Sequence, residues 1–178
     1  MRRALHILVL AGLASCDAPG AVPDPDAAGP SPVVLGTTSG DLTAFLPLVG
    51  EQTLVAGAQG GYHVWLRLRL ARMGMRDVRV HRTARRSADA RLILDTEGVL
   101  SVGEAGPDGV WELPGDKSIP TFMCPSPIGV AVQGQPLRLE VTVSDAQTGE
   151  ALGTGTAEFT PRCPDGDQAA HCVDICSG

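Results

Sequence analysis

The sequence lacks the local signatures of the common catalytic sites. It has no G-x-S-x-G nucleophile elbow, no G-x-x-x-x-G-K-[ST] phosphate loop and no H-E-x-x-H metal-binding helix. Ser39 sits in the glycine-bounded segment 36–40, but out of frame for an elbow. His63, His81 and His171 have no acid or cysteine nearby in a recognised catalytic arrangement, so they read as surface or structural histidines. The expectation is a chain without catalysis and without a cofactor or metal; the rival is an enzyme whose site is assembled from scattered residues that no local motif reveals. Lysine is nearly absent: one Lys stands against thirteen Arg, a bias that with abundant Ala, Gly and Pro suggests a GC-rich genome and weakens arginine richness as a functional sign. The formal net charge of −6 argues against nucleic acid as a general partner. Sustained helical periodicity bounded by caps is also missing after the first fifteen residues, which leaves strands to build the fold.

Strand patterning is plentiful, and residues 51–70 organise it. A short apolar run, Leu54-Val55-Ala56, leads into the glycine turn 57–61, and nine residues of strict alternation follow. Tyr62, Val64, Leu66, Leu68 and Leu70 share one face, while His63, Trp65, Arg67 and Arg69 share the other, the pattern of a half-buried antiparallel strand. The turn is expected to be a tight connection or bulge, because glycine reaches positive φ freely. Further strands are predicted at 33–35, 45–49 (an edge, because of Pro47), 53–56, 77–82, 91–95, 99–102 after a turn at Gly98, 119–123, 129–132, 137–143 and 151–160. Val78 and Val80 point inward, and Trp111 is the anchor of the loop 103–116. The final pair forms a hairpin around the turn 145–150, with glycines in the returning strand that point to a bulge.

The first sixteen residues follow a different logic. Arg2 and Arg3 precede the apolar segment 4–13, which at ten residues is too short to span ~30 Å of hydrocarbon and reads as an export signal. Leu13-Ala14-Ser15-Cys16 resembles the lipobox of bacterial lipoproteins, which implies cleavage before Cys16 and lipidation of that cysteine. Acyl chains contribute ~0.8 kcal/mol per buried CH₂, so two or three of them hold a protein on a bilayer stably. Residues 17–32, with five prolines, read as an extended disordered tether. Loss of Arg2 and Arg3 with the leader takes the net charge from −6 to −8. The expected product is an exported, membrane-anchored lipoprotein of the bacterial envelope, its membrane (inner or outer) left open.

Four cysteines remain: Cys124, Cys163, Cys172 and Cys176. An even number in an exported chain points to two disulfides, with three connectivities open. The favoured pairing is Cys163–Cys172 closing a small loop and Cys124–Cys176 fastening the tail. The rival is a zinc knuckle of Cys163, His171, Cys172 and Cys176, disfavoured by irregular ligand spacing and an oxidising compartment.

The division is therefore a signal at 1–15, a lipidated linker at 16–32, one β domain at 33–160 and a cysteine-bearing tail at 161–178. Short strands with turns between them favour an all-β, antiparallel sandwich of seven to nine strands. The chain is similar to immunoglobulin-like domains of bacterial surface proteins, most of all in the hairpin 137–161, without their cysteine pair around a core tryptophan. The segment 45–70 also resembles uncharacterised exported lipoproteins of high-GC bacteria, which implies no particular activity.

One segment stands out for charge. Residues 67–91 hold nine arginines against Asp77 and Asp89, a local balance of +7. With His63, Trp65, Arg67, Arg69, Arg79 and His81 outward on two neighbouring strands, one reading is a docking face for an anionic envelope glycan or an acidic envelope protein, with tryptophan stacking on sugars. The other reading is a solvated hairpin whose arginines pair with acids on adjacent strands. The expected role is non-catalytic binding or scaffolding at the membrane surface.

Overall fold

The computed structural model of the chain describes residues 31–39, 41–71 and 73–178. The signal, Cys16 and nearly all of the tether lie outside the described residues. Chain order is β1 (Ser31–Thr38), β2 (Phe45–Pro47), β3 (Gly50–Thr53), β4 (Val55–Ala56), β5 (Tyr62–Ala71), β6 (Arg76–Arg86), β7 (Leu92–Val102), β8 (Val110–Glu112), β9 (Ile119–Cys124), β10 (Leu137–Asp145), β11 (Ala151–Arg162) and α1 (Ala169–Cys176). The fold is mostly β, with eleven strands among the described residues where seven to nine were predicted.

The sheet is mixed, which corrects the all-antiparallel expectation. Its main path runs β4-β5-β1-β11-β10-β6-β7. Two ladders on β11 are parallel, one to the start of β1 and one to β3. β1 is the joint of the structure. Ser31 and Pro32, assigned by sequence to the tether, pair parallel with Gly153 and Thr154. Val33 to Gly36 then pair antiparallel with Leu70 to Arg67 of β5. β11 can come this close only because Gly155 has no side chain, since a Cβ there would collide with the Val33 carbonyl.

The sheet joined in this way curls around one core. From the β5 side come Val64, Leu66, Leu68 and Leu70; from the other side come Val78, Val80, Leu139, Val141 and Val143. All are almost fully buried. At about 1.5–3 kcal/mol for each aliphatic side chain removed from water, this cluster is the main stabilising term of the domain. Trp111 seals one end, opposite Leu70 where β8 pairs with β5.

Local expectations fared unevenly. β5 and the hairpin β10–β11 match their alternation, and the bulge falls where Val143 faces Gly153 and Ser144 faces Ala151, leaving Leu152 as the extra residue. The predicted break at Gly98 is absent: β7 runs straight through it, because Gly98 pairs with Val80 and β6 supplies an unbroken template. Residues 129–132 run from a turn at 128–129 into irregular loop and do not form a strand. The tail contains α1, a helix of eight residues with no side-chain cap. Such a helix is not stable alone, and its cysteines tether it to the sheet: Cys124–Cys176 and Cys163–Cys172, the pairing favoured from the sequence, both form. The Tyr62 hydroxyl adds a bond to the Gln168 carbonyl at 3.2 Å.

Candidate functional site

β5 is buried on one face and covered over His63 and Arg67 on the other, which corrects the reading of a strand half open to water. Its apolar face is in the core as predicted. On the other face His63 and Arg67 are each only 3% exposed, while Arg69 remains accessible. The turn just before β5 and segments far from it in sequence cover this side.

His63 lies beneath the glycine turn. The turn closes through Gly57 N–H to the Gly61 carbonyl at 2.7 Å, with Gly60 at φ 81°. A Cβ on Gly57 would approach the Phe122 ring to 3.1 Å and His63 Nδ1 to 3.4 Å, so bare backbone lets the turn roof the imidazole. The ring meets Trp65 edge-on at 4.4 Å and Phe122 at 5.3 Å. Neither nitrogen has a hydrogen-bond partner among the described residues. Burial lowers the pKa below 6.5, so the ring stays neutral. An imidazole in this apolar cage acts as a packing group.

Arg67 and Arg69 converge on one carboxylate. Arg67 donates to Glu112 at 2.6 Å and through Nε to the Leu113 carbonyl at 2.9 Å; Arg69 Nε donates to the other Glu112 oxygen at 2.6 Å. The Phe45 ring lies over both guanidinium groups, at 4.1 Å from Arg69 and 5.6 Å from Arg67. Gly36, which pairs with Arg67, makes room for that ring, since a Cβ there would overlap it.

Arg79 and His81 belong to a different surface. They lie on β6, which pairs only with β10 and β7, so the outward faces of β5 and β6 do not adjoin as expected from the sequence. His81 contacts Asp95 at 2.6 Å and Arg79 contacts Glu97 at 3.8 Å, both on β7. Arg76 faces Asp145 at 3.6 Å, and Arg86 donates to Asp89, holding that carboxyl at about 2. Three acids from outside the segment, Glu112, Asp145 and Glu97, thus meet part of the local charge of +7, while Asp95 pairs with His81, which that charge does not count.

One arginine escaped the sequence reading. Arg82 continues the inward phase of Val78 and Val80 and is 8% exposed. It reaches across to β9, donating to the Pro120 carbonyl at 3.2 Å and to the Thr121 hydroxyl at 3.3 Å, with Nε unpartnered among the described residues. Burial alone depresses its pKa, with no carboxylate contributing. The signal was available: an arginine two residues after Val80 falls in the core phase of the alternation.

Trp65 lines a groove of about 550 Å³ between β5, the β2 segment and β3–β4. Leu42, Leu46 and Val55 form its apolar wall, each substantially exposed, while Ser39, Glu51 and Gln52 make the rim. Among the sequence-selected residues, Trp65 alone lines this groove.

In the tail, the sulfurs of Cys163, Cys172 and Cys176 lie within 4.8 Å of one another. All three are in disulfides, so no thiolate is free to serve as a metal ligand, and the exposed His171 has no thiolate set to complete.

No protein-family model matches the chain, and no curated protein matches it. Solved structures give faint likenesses. A β-glucuronidase from Bacteroides uniformis aligns over 74% of this chain at 14% identity and a TM-score of 0.34. The N-terminal domain of PorA aligns over 72% of this chain and 96% of its own length, at 14% identity and a TM-score of 0.29. The chain spans only 13% of that β-glucuronidase.

Proposed function

We propose that the protein is a lipid-anchored, non-catalytic binding domain of the bacterial envelope, with an immunoglobulin-like β-sandwich as its body. The Trp65 groove is the observation that carries the binding reading: exposed apolar side chains and an aromatic ring sit in a concavity rimmed by polar groups, the composition of a ligand site. The sandwich reading is supported by the crossover between β5 and β6, consecutive in sequence yet separated in the sheet by β1, β11 and β10. The lipobox Leu13–Cys16 and the two disulfides support export and anchoring. For a glycan ligand, Trp65 supplies a stacking plane, and Arg69 is the accessible cation of the original set on the same strand.

The test has two arms. Cys16→Ala should abolish acyl incorporation and move the protein out of the membrane fraction. Trp65→Ala should reduce retention on immobilised envelope polysaccharide at least tenfold while the purified protein keeps the far-UV circular dichroism of the folded parent. Mature, membrane-bound Cys16→Ala protein would refute the anchor. Equal retention of Trp65→Ala and the parent would refute the groove.

A further inference from the structure

The two disulfides are placed to exchange. Cys172 and Cys176 are four residues apart on α1, and their sulfurs, which belong to different disulfides, are 3.8 Å apart. Cys172, Cys176 and Cys124 are buried, whereas Cys163 is half-buried just beyond β11. A thiol arriving from solvent therefore meets Cys163–Cys172 first, and Cys124–Cys176 is shielded from direct attack. Access and the identity of the attacked sulfur govern such reactions.

We propose that Cys163–Cys172 is the point through which an external dithiol opens Cys124–Cys176, with Cys172 as the internal relay. A dithiol thiolate attacks Cys163 Sγ, forms a mixed disulfide and expels the Cys172 thiolate. The second thiol of the dithiol attacks its own sulfur in that mixed disulfide. This frees Cys163 and leaves the reagent as an intramolecular disulfide, so two electrons pass from reagent to protein. The Cys172 thiolate then attacks Cys176 Sγ, forming Cys172–Cys176 and expelling the Cys124 thiolate, with no further change in oxidation level. The tail is now covalently free of β9. Its remaining ties include the Tyr62 bond to Gln168 and the amides of Ser126, Val132 and Gln133 on the carbonyls of Ile175 and Cys176. The arrangement is a redox-sensitive latch on the C-terminal segment, set off at a single accessible sulfur.

The experiment uses the full chain carrying Cys16→Ala, so that no fifth thiol takes part. The native protein is treated with limiting dithiothreitol, quenched in acid at intervals, labelled with a maleimide under denaturing conditions and mapped by mass spectrometry. The expected intermediate loses the Cys124–Cys176 linkage, carries label on Cys124 and Cys163, and contains a Cys172–Cys176 disulfide. Partly reduced molecules labelled only on Cys163 and Cys172, with Cys124–Cys176 intact throughout, would overturn the proposal. A Cys163→Ser chain keeps Cys124–Cys176 available to hold the tail and needs no reductant: label is expected on Cys124 as well as Cys172. Label confined to Cys172 would overturn the relay.

Discussion

Removing each disulfide separately measures how the tail is held. Cys124–Cys176 closes 52 residues of sequence and Cys163–Cys172 closes 9. With the loop-entropy relation, these separations correspond to about 4 kcal/mol and about 2.6 kcal/mol of stabilisation through the unfolded state. Packing reinforces the order, because Cys124 and Cys176 are both within the core cluster, whereas Cys163 only borders it. The paired variants Cys124→Ala/Cys176→Ala and Cys163→Ala/Cys172→Ala each leave the other bridge intact and introduce no thiol. Urea unfolding under non-reducing conditions, followed by the fluorescence of Trp65 and Trp111, gives both free energies. The first variant should be the less stable by about 1.5 kcal/mol or more. Equal losses, or the opposite order, would mean that loop length does not govern the tail and would refute the reasoning.

Other residues give sharper local tests. Glu112→Gln strips the buried Arg67 of its carboxylate and should cost about 2 kcal/mol, while Arg69→Gln, at an exposed partner of the same acid, should cost under about 1 kcal/mol, both read from urea midpoints. Arg82→Met removes a buried cation that has no acid beside it and should leave stability unchanged or raise it by about 1 kcal/mol; a loss above about 2 kcal/mol would contradict that account. His63 titrates below 6.5 when folded and at about 6.5 when unfolded, so below that pH the unfolded chain binds a proton that the folded chain refuses. Stability should therefore be full above pH 6.5 and fall with pH beneath it, and His63→Phe should flatten the dependence between pH 7.5 and 5; an unchanged slope would refute the assignment.

The strands were legible where pattern and environment agree over a few residues. In β5 the alternation from Tyr62 to Leu70 placed five residues in the core, because a pleated strand sends successive side chains to opposite faces whatever it packs against. The same rule misjudged its second face, since the cover over His63 and Arg67 comes from Phe45, the 57–61 turn, Leu113 and Phe122, none of which the alternation encodes. At Gly98 a local break was expected, yet pairing with Val80 kept the strand straight. The arginine segment was misread as one continuous face for a related reason: β5 and β6 are not neighbours in the sheet, and charge counted along the chain ignored acids brought in from β7, β8 and β10. The Trp65 groove was half visible, in that the aromatic could be singled out but not the wall formed by Leu42, Leu46 and Val55.

The sequence by itself determined what depends on neighbours in the chain: the alternating strands, the final hairpin and its bulge, the glycine turn before β5 and an even set of cysteines. Only the tertiary structure decided the mixed sheet, the cover over His63 and Arg67 and the meeting of two disulfides at one pair of sulfurs. Side-chain phase is set within a few residues by backbone geometry. Which groups cover a face, neutralise a charge or touch a sulfur depends on segments tens of residues apart, brought together only when the sheet curls around its core.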